Sequence, residues 1–135
     1  MKVAIHQPEH FPYLGFFQKM EAADLFIILD DVKFTKNNFQ NRNKFLNSNK
    51  IEEWFTIELE PKAHRKLIKD IVVSENPKWK KIILSKLKTN FKKDFSEIYN
   101  QQKLLDINLK SIEYCKHYLN ISTPIQLSSQ LNIKT

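Results

Sequence analysis

The sequence predicts an α/β fold, a mainly parallel sheet with flanking helices. The run Leu25-Phe26-Ile27-Ile28-Leu29 is apolar throughout. That pattern suits a strand buried on both faces, as in parallel sheets. It follows a first strand candidate, Lys2-Val3-Ala4-Ile5-His6, after one short helical stretch. Strand, helix, buried strand is the opening of a βαβ unit. Farther along, apolar residues recur at helical spacing, supplying helices to cover the sheet.

Each element has its own signal. Residues 2–6 end as a strand at Gln7-Pro8, because proline lacks a donor and disfavours helix in the residue before it. Residues 8–12, bounded by two prolines, are a loop. Residues 14–23 read as a short helix with Phe16, Phe17, Met20 and Ala23 along one face. Residues 25–29 form the second strand and close on Asp30-Asp31. Residues 32–50 are polar and rich in asparagine, and read as a long functional loop. Residues 54–59 alternate like a strand, and 67–73 (LIKDIVV) look like another. Asn76-Pro77 opens a helix over 77–93, with asparagine as cap and proline at the first helical position. Its apolar face holds Trp79, Ile82, Ile83 and Leu87, and Lys78, Lys81, Lys88 and Lys92 lie away from it. A second helix covers 104–119, and 124–127 is a last short strand. Trp54, Phe55 and Trp79 read as core residues. The chain shows no internal repeat.

Composition removes whole classes of function. At 135 residues the chain is long enough to bury a core as one α/β domain, 1–135. Gly15 is the only glycine, so the glycine-rich phosphate loops of classical dinucleotide and P-loop sites are absent. The single cysteine, Cys115, cannot form an internal disulfide, which points to a reducing cytoplasm. Cys115 falls within a helix as a structural thiol. No apolar run reaches the length of a membrane span. The net charge of +7 comes almost wholly from lysine, with Arg42 and Arg65 the only arginines. Arginine does the bidentate work on guanine and phosphate, so nucleic acid is disfavoured as a partner. The charge is also uneven: residues 1–60 carry 7 cations and 9 anions. Chemistry in the first half is therefore not that of a basic groove.

Ligands of open α/β sheets bind beyond the carboxyl ends of the strands. Two such ends are legible, His6-Gln7-Pro8 and Asp30-Asp31. If the strands are neighbours, an imidazole, a primary amide and two carboxylates meet in one crevice. That set suits general acid–base work, or a divalent cation. The following loop interleaves Lys33, Lys36 and Arg42 with Phe34, Phe39 and the amides Asn41 and Asn43. It can hold an anion while a ring stacks on a base or sugar. His64 and His117 have no partners at metal-ligand spacing; no metal site is assigned, and no cofactor is named by the sequence.

These residues resemble a known family. Ala4-Ile5-His6-Gln7-Pro8, Phe11-Pro12-Tyr13-Leu14-Gly15-Phe16-Phe17, Asp30-Asp31-Val32-Lys33-Phe34 with Lys36, and Asn41-Arg42-Asn43 are similar in order and spacing to the WbqC-like proteins. The strand Trp54-Phe55-Thr56-Ile57 and the tail Ser128-Ser129-Gln130-Leu131-Asn132-Ile133 fit the same pattern. The resemblance implies a bacterial transferase that modifies sugars in O-antigen or other surface-polysaccharide biosynthesis. Members continue into a further Ser-Gly-containing strand and loop, so it also implies that the C-terminal part is absent here. A weaker likeness is to the HIGH-type nucleotidylyltransferases. There a P-x-H-x-G-H-L stretch meets the nucleotide phosphates; here Pro8, His10 and Leu14 match, while Pro12 and Tyr13 replace the glycine and second histidine. It implies a Rossmann-like, HUP-like architecture and turns His10 and Tyr13 toward the substrate.

The expectation is a group transferase, of acyl, aminoacyl or glycosyl type, with a small anionic or nucleotide-linked substrate. His6 is the candidate general base, with Asp30 and Asp31 orienting it or the substrate. Gln7, His10, Tyr13, Lys33, Lys36, Asn41, Arg42 and Asn43 are the candidate substrate ligands. The alternative is a non-catalytic module binding a nucleotide or nucleic acid. A further expectation is an unpaired sheet edge over 124–133, where Ile125, Leu127, Leu131 and Ile133 need cover from self-association or a partner chain.

Overall fold

The computed structural model describes residues 1–35 and 38–131. Lys36, and Asn132 and Ile133 of the tail, lie outside the described residues. The sheet is α/β and parallel, with strand order β1-β2-β5. β1 (Val3–His6) pairs in register with β2 (Leu25–Ile28), His6 opposite Ile28, and α1 (Leu14–Glu21) makes the crossover. β5 (Ile125–Leu127) lies parallel on the other side of β2, with Phe26 opposite Ile125. Flanking helices complete a Rossmann-like arrangement. β2 is thus the central strand, and Phe26, Ile27 and Ile28 are all buried; this is why its sequence does not alternate. β5 has one hydrogen-bonded neighbour among the described residues.

A second, antiparallel sheet corrects the expectation for residues 32–50. β3 (Arg42–Leu46) lies within that supposed loop and pairs with β4 (Glu52–Thr56), Arg42 opposite Thr56. The turn between them is closed by the Asn47 side chain, whose Oδ1 accepts from the amides of Asn49 and Ile51. Polar residues hide this strand because a half-exposed antiparallel ladder needs few apolar side chains. Residues 67–73 are the second correction. They form a 3₁₀ turn, Ile68–Asp70, and meet other segments only at single bridges: Leu67 with Lys33, Val72 with Lys103, and Val73 with Leu59. Ile68 and Ile71 are fully buried three residues apart. Burial supplied the apolar run that reads as a strand.

α2 (Lys78–Phe91) begins as expected, with Asn76 Oδ1 accepting from the Lys78 amide at 3.1 Å. Trp79, Ile83 and Leu87 are buried, but Ile82 is exposed and leaves the expected face. A short α3 (Ser96–Tyr99) was not expected, whereas α4 (Leu104–Tyr118) was. α4 serves two cores. Its Leu105 and Ile112 pack with Phe16, Met20, Phe26 and Ile28 beside the parallel sheet. Its Leu104 and Ile107 pack with Phe55, Ile57, Ile68 and Trp79 around the antiparallel ribbon. Side chains one residue apart point about 100° apart on a helix, so one helix wedges both cores. Each fully buried aliphatic side chain contributes about 1.5–3 kcal/mol. Burial pushes the Cys115 thiol on α4 up to about 11, which leaves it protonated and inert at neutral pH. No helix among the described residues is long and apolar enough to cross a membrane.

Gly15 sits in the first turn of α1, and a Cβ there would run into the ring of Tyr13. That ring is 62% exposed and free to swing. Gly15→Ala is therefore expected to leave stability unchanged or raise it by up to about 1 kcal/mol, since alanine is the better helix former. Chemical denaturation of the two proteins measures this.

Candidate functional site

The carboxyl ends of all three parallel strands lie on one edge of the sheet, where ligands of such sheets bind. β1 delivers His6 and Gln7, β2 delivers Asp30 and Asp31, and β5 delivers Ser128 and Ser129. The first two strand ends are thus neighbours, with a third beside them.

His6 is half-buried, its ring edge-on to Phe16 at 4.8 Å. Its Nδ1 lies 2.8 Å from the carbonyl oxygen of Gln7. A carbonyl only accepts, so Nδ1 carries the hydrogen and the neutral ring keeps its lone pair on Nε2. Gln7 Oε1 accepts from Gln40 Nε2 at 2.5 Å. Gln40, 1% exposed, in turn accepts from the Thr35 amide through Oε1 and from Asn108 Nδ2 through its carbonyl. This one buried residue thereby ties the strand-end loop, the loop after β2 and α4 together.

The two aspartates differ. Asp30 is 1% exposed. Its Oδ1 accepts from the Ser129 amide at 2.9 Å and its Oδ2 from the Ser129 hydroxyl at 2.5 Å. Its own amide donates to Ser128 Oγ at 3.2 Å. Asp31 is exposed and accepts from the Ser128 hydroxyl at 2.6 Å. Asp30 therefore fastens the end of β2 to the segment after β5, and Asp31 is the carboxylate facing outward. Lys33 is exposed and forms no ion pair among the described residues.

The other candidates divide between inside and outside. His10 is fully buried. Its Nε2 is hydrogen-bonded to the Tyr99 hydroxyl at 2.6 Å, and desolvation lowers it to about 3 from its ordinary 6.5. It is a neutral, packed histidine. Asn43 donates through Nδ2 to the carbonyls of His10, at 3.1 Å, and Phe11, at 2.5 Å, and so holds the loop after β1. Asn41 donates to the Ile57 carbonyl. Arg42 and Asn41 line a different pocket, of about 440 Å³, with Lys62, Glu58 and Glu60. The Arg42 guanidinium lies 4.5 Å above Trp54, and Phe39 stacks on the same indole. Trp54 is accordingly an exposed platform, correcting its expected place in the core; Phe55 and Trp79 are buried. Among the described residues no three His, Cys, Asp or Glu side chains gather as a metal site.

One residue of this site escaped the sequence reading. Glu9 is 8% exposed, its Oε1 is buried, and it makes no hydrogen bond or ion pair among the described residues. Burial raises its carboxyl above the usual carboxylate range, and the charge of nearby His6 partly offsets that rise. With Tyr13, Phe39 and Asn43 it lines a recess of about 270 Å³. Its position three residues after the end of β1 was the available signal, as was the position of Ser128 and Ser129 directly after β5.

The sequence pattern of the WbqC-like protein family matches residues 7–135, which contain all of these strand-end residues except His6 itself. The chain belongs to the WbqC-like family. It is also 32% identical over 92 residues to the uncharacterized protein Rv1507c of Mycobacterium tuberculosis. That alignment covers 67% of this chain and 38% of the relative, so the chain spans well under half of the curated relative's length. No solved structure matches it.

Two outcomes test this placement within the WbqC-like chain. Asp30→Ala should cost about 1.5–3 kcal/mol, because it removes the buried charged acceptor of the Ser129 amide and hydroxyl, while Asp31→Asn should cost under about 1 kcal/mol; urea unfolding compares them. His10 links stability to pH in a defined direction. Unfolded, it binds a proton below about 6.5; folded, only near 3. Its contribution is intact above pH 6.5 and is lost as pH falls toward 3, by up to about 1.4 kcal/mol per unit. Unfolding midpoints at pH 7, 6, 5 and 4 should therefore fall less steeply in His10→Gln than in the parent.

Proposed function

We propose that the protein is a group-transfer enzyme acting on an activated sugar or a related metabolite, in the cytoplasm. Membership of the WbqC-like family suggests a role related to polysaccharide biosynthesis. The observation that carries the reading to catalysis is His6, at the end of a parallel strand, with its Nδ1 hydrogen engaged and its Nε2 lone pair without a partner among the described residues. Nε2 takes the proton from an acceptor hydroxyl or amine as that group attacks the donor. The leaving group departs with the bonding electron pair, and the imidazolium returns the proton to it. Asp31 orients the acceptor or the imidazole. Lys33, and Arg42 in its neighbouring pocket, neutralise the anionic parts of the donor. The flank of β5 that is unpaired among the described residues would offer a strand edge to a second copy or another chain.

A binding module for nucleotides or nucleic acid is the competing reading, favoured by the Arg42–Trp54–Phe39 stack. A thermal-shift screen of nucleotide-sugars and acyl donors comes first, since a bound ligand raises the melting point by mass action. Turnover of the hit should then fall by roughly 10²–10⁴-fold in His6→Ala, with the unfolding midpoint unchanged. Turnover that survives His6→Ala, or nucleic-acid binding that survives it and falls steeply with salt, would overturn the transferase reading.

A further inference from the structure

Glu9 poses a physical problem that the fold alone does not resolve. A carboxylate withdrawn from water costs several kcal/mol unless something pairs with it. Among the described residues its Oε1 is buried and unpaired, and His6 is the charged group that acts on it. The surroundings offer no remedy. Asn43, which also lines the recess, has its amide hydrogens on the carbonyls of His10 and Phe11 and its oxygen on the Lys44 amide, and the Tyr13 hydroxyl makes no hydrogen bond to Glu9 among the described residues. The recess thus presents an acceptor, Glu9, between two aromatic rings. Both rings are solvent-facing, Phe39 at 41% exposed and Tyr13 at 62%.

An acceptor carrying negative charge, flanked by aromatic faces, is complementary to a cation that donates hydrogen bonds. The volume, about 270 Å³, falls below the usual range for drug-sized ligands and suits one small ring or a short chain. We propose that the recess between Tyr13 and Phe39 is the binding subsite for a primary ammonium group carried on a compact polar ring, of the amino-sugar type, with Glu9 as its counter-ion. The inference rests on the transferase reading in one respect: the amine is then the acceptor, and His6, beside Glu9, removes its proton before attack. A neutral hydroxyl in the same place would satisfy the hydrogen bond but leave the charge uncompensated, so the subsite discriminates amine from alcohol.

Gly15 fits this arrangement. Its missing Cβ lets the Tyr13 ring lie across the start of α1, where that ring forms one wall of the recess. Alanine there is compatible with the helix but displaces the wall.

The test uses glucosamine and glucose as probes, which differ only at one ammonium or hydroxyl group, with binding followed by titration calorimetry or by NMR of the full chain. Glucosamine should bind saturably in the millimolar range and at least roughly tenfold more tightly than glucose, the lower end of what a charge-assisted hydrogen bond supplies. Glu9→Gln should abolish that preference while unfolding at the same or higher denaturant concentration, because it removes a desolvated charge. Phe39→Ala and Gly15→Ala, both folded, should weaken glucosamine binding severalfold. Equal binding of the two sugars, absence of saturable glucosamine binding, or a preference that persists in Glu9→Gln would overturn the proposal. None of these readouts uses turnover. Loss of the ammonium preference with transfer still dependent on His6 would sink only this inference; a Glu9-dependent preference with turnover indifferent to His6 would sink only the transferase reading.

Discussion

The structure depends on a clasp between Asp30 and the serines that follow β5. Asp30 ends the central strand, and Ser128 and Ser129 lie 98 and 99 residues farther along the chain. Nearly everything the protein contains lies in the loop so closed, including the antiparallel ribbon and three of the four helices. Closing so long a loop carries an entropic cost that grows only slowly with length, so a compact set of strong bonds can hold it. The clasp supplies that set through a buried carboxylate receiving the amide and hydroxyl of Ser129, while the Asp30 amide donates to the Ser128 hydroxyl oxygen. Charged acceptors of this kind make stronger hydrogen bonds than neutral ones. Pairing of β5 against β2 covers only three residues, and the clasp sets its register.

The same economy appears at Gln40. A single buried residue joins Gln7 and Thr35 through its side-chain amide and Asn108 through its backbone carbonyl, and so aligns the loop carrying Phe39 with the strand end carrying His6. Two supports therefore converge on the strand ends: one from β2 and the end of β5, the other from α4. Catalytic and binding groups on loops gain precision only when such supports restrict them. His6, Asp31 and Glu9 are the groups left with unengaged or outward-facing atoms once the supports are counted.

The legibility of these features followed the physics of each. The parallel unit was legible because burial on both faces of β2 removes alternation, and α4 because its stripe has a helical period. β3 was not, since Arg42, Asn43 and Lys44 earn their strand from backbone pairing and from an asparagine turn rather than from apolar packing. Residues 67–73 misled for the converse reason: Ile68, Ile71 and Val73 are apolar because they are buried, and burial does not by itself set backbone geometry. At the candidate site, the residue types at the strand ends marked out groups that the parallel pairing brings to one edge. They could not separate Asp30, consumed by a clasp that joins residues 98 apart, from Asp31, which faces out. Nor could they show that His10 would be packed against Tyr99. Glu9 stayed hidden because a glutamate between a proline and a histidine looks like any polar loop residue until its burial is known.

The burial of Glu9 follows from the backbone next to it. Phe11 has φ 45°, in the left-handed region that a phenylalanine enters only under constraint. Such a conformation costs on the order of 1–2 kcal/mol, and here the constraint is visible. The Phe11 amide donates to Ser111 on α4, its carbonyl and that of His10 accept from Asn43 on β3, and the His10 amide donates to the Phe39 carbonyl. Every polar backbone group of this bend is thereby held by an element other than its own. With His10 drawn inward against Tyr99, the preceding residue is carried into the space between Tyr13 and Phe39. A protein that needed only a connector between β1 and α1 could have used a relaxed one. Strain maintained by four long-range hydrogen bonds around a buried, unpaired carboxylate is the arrangement expected where a loop is shaped for a ligand.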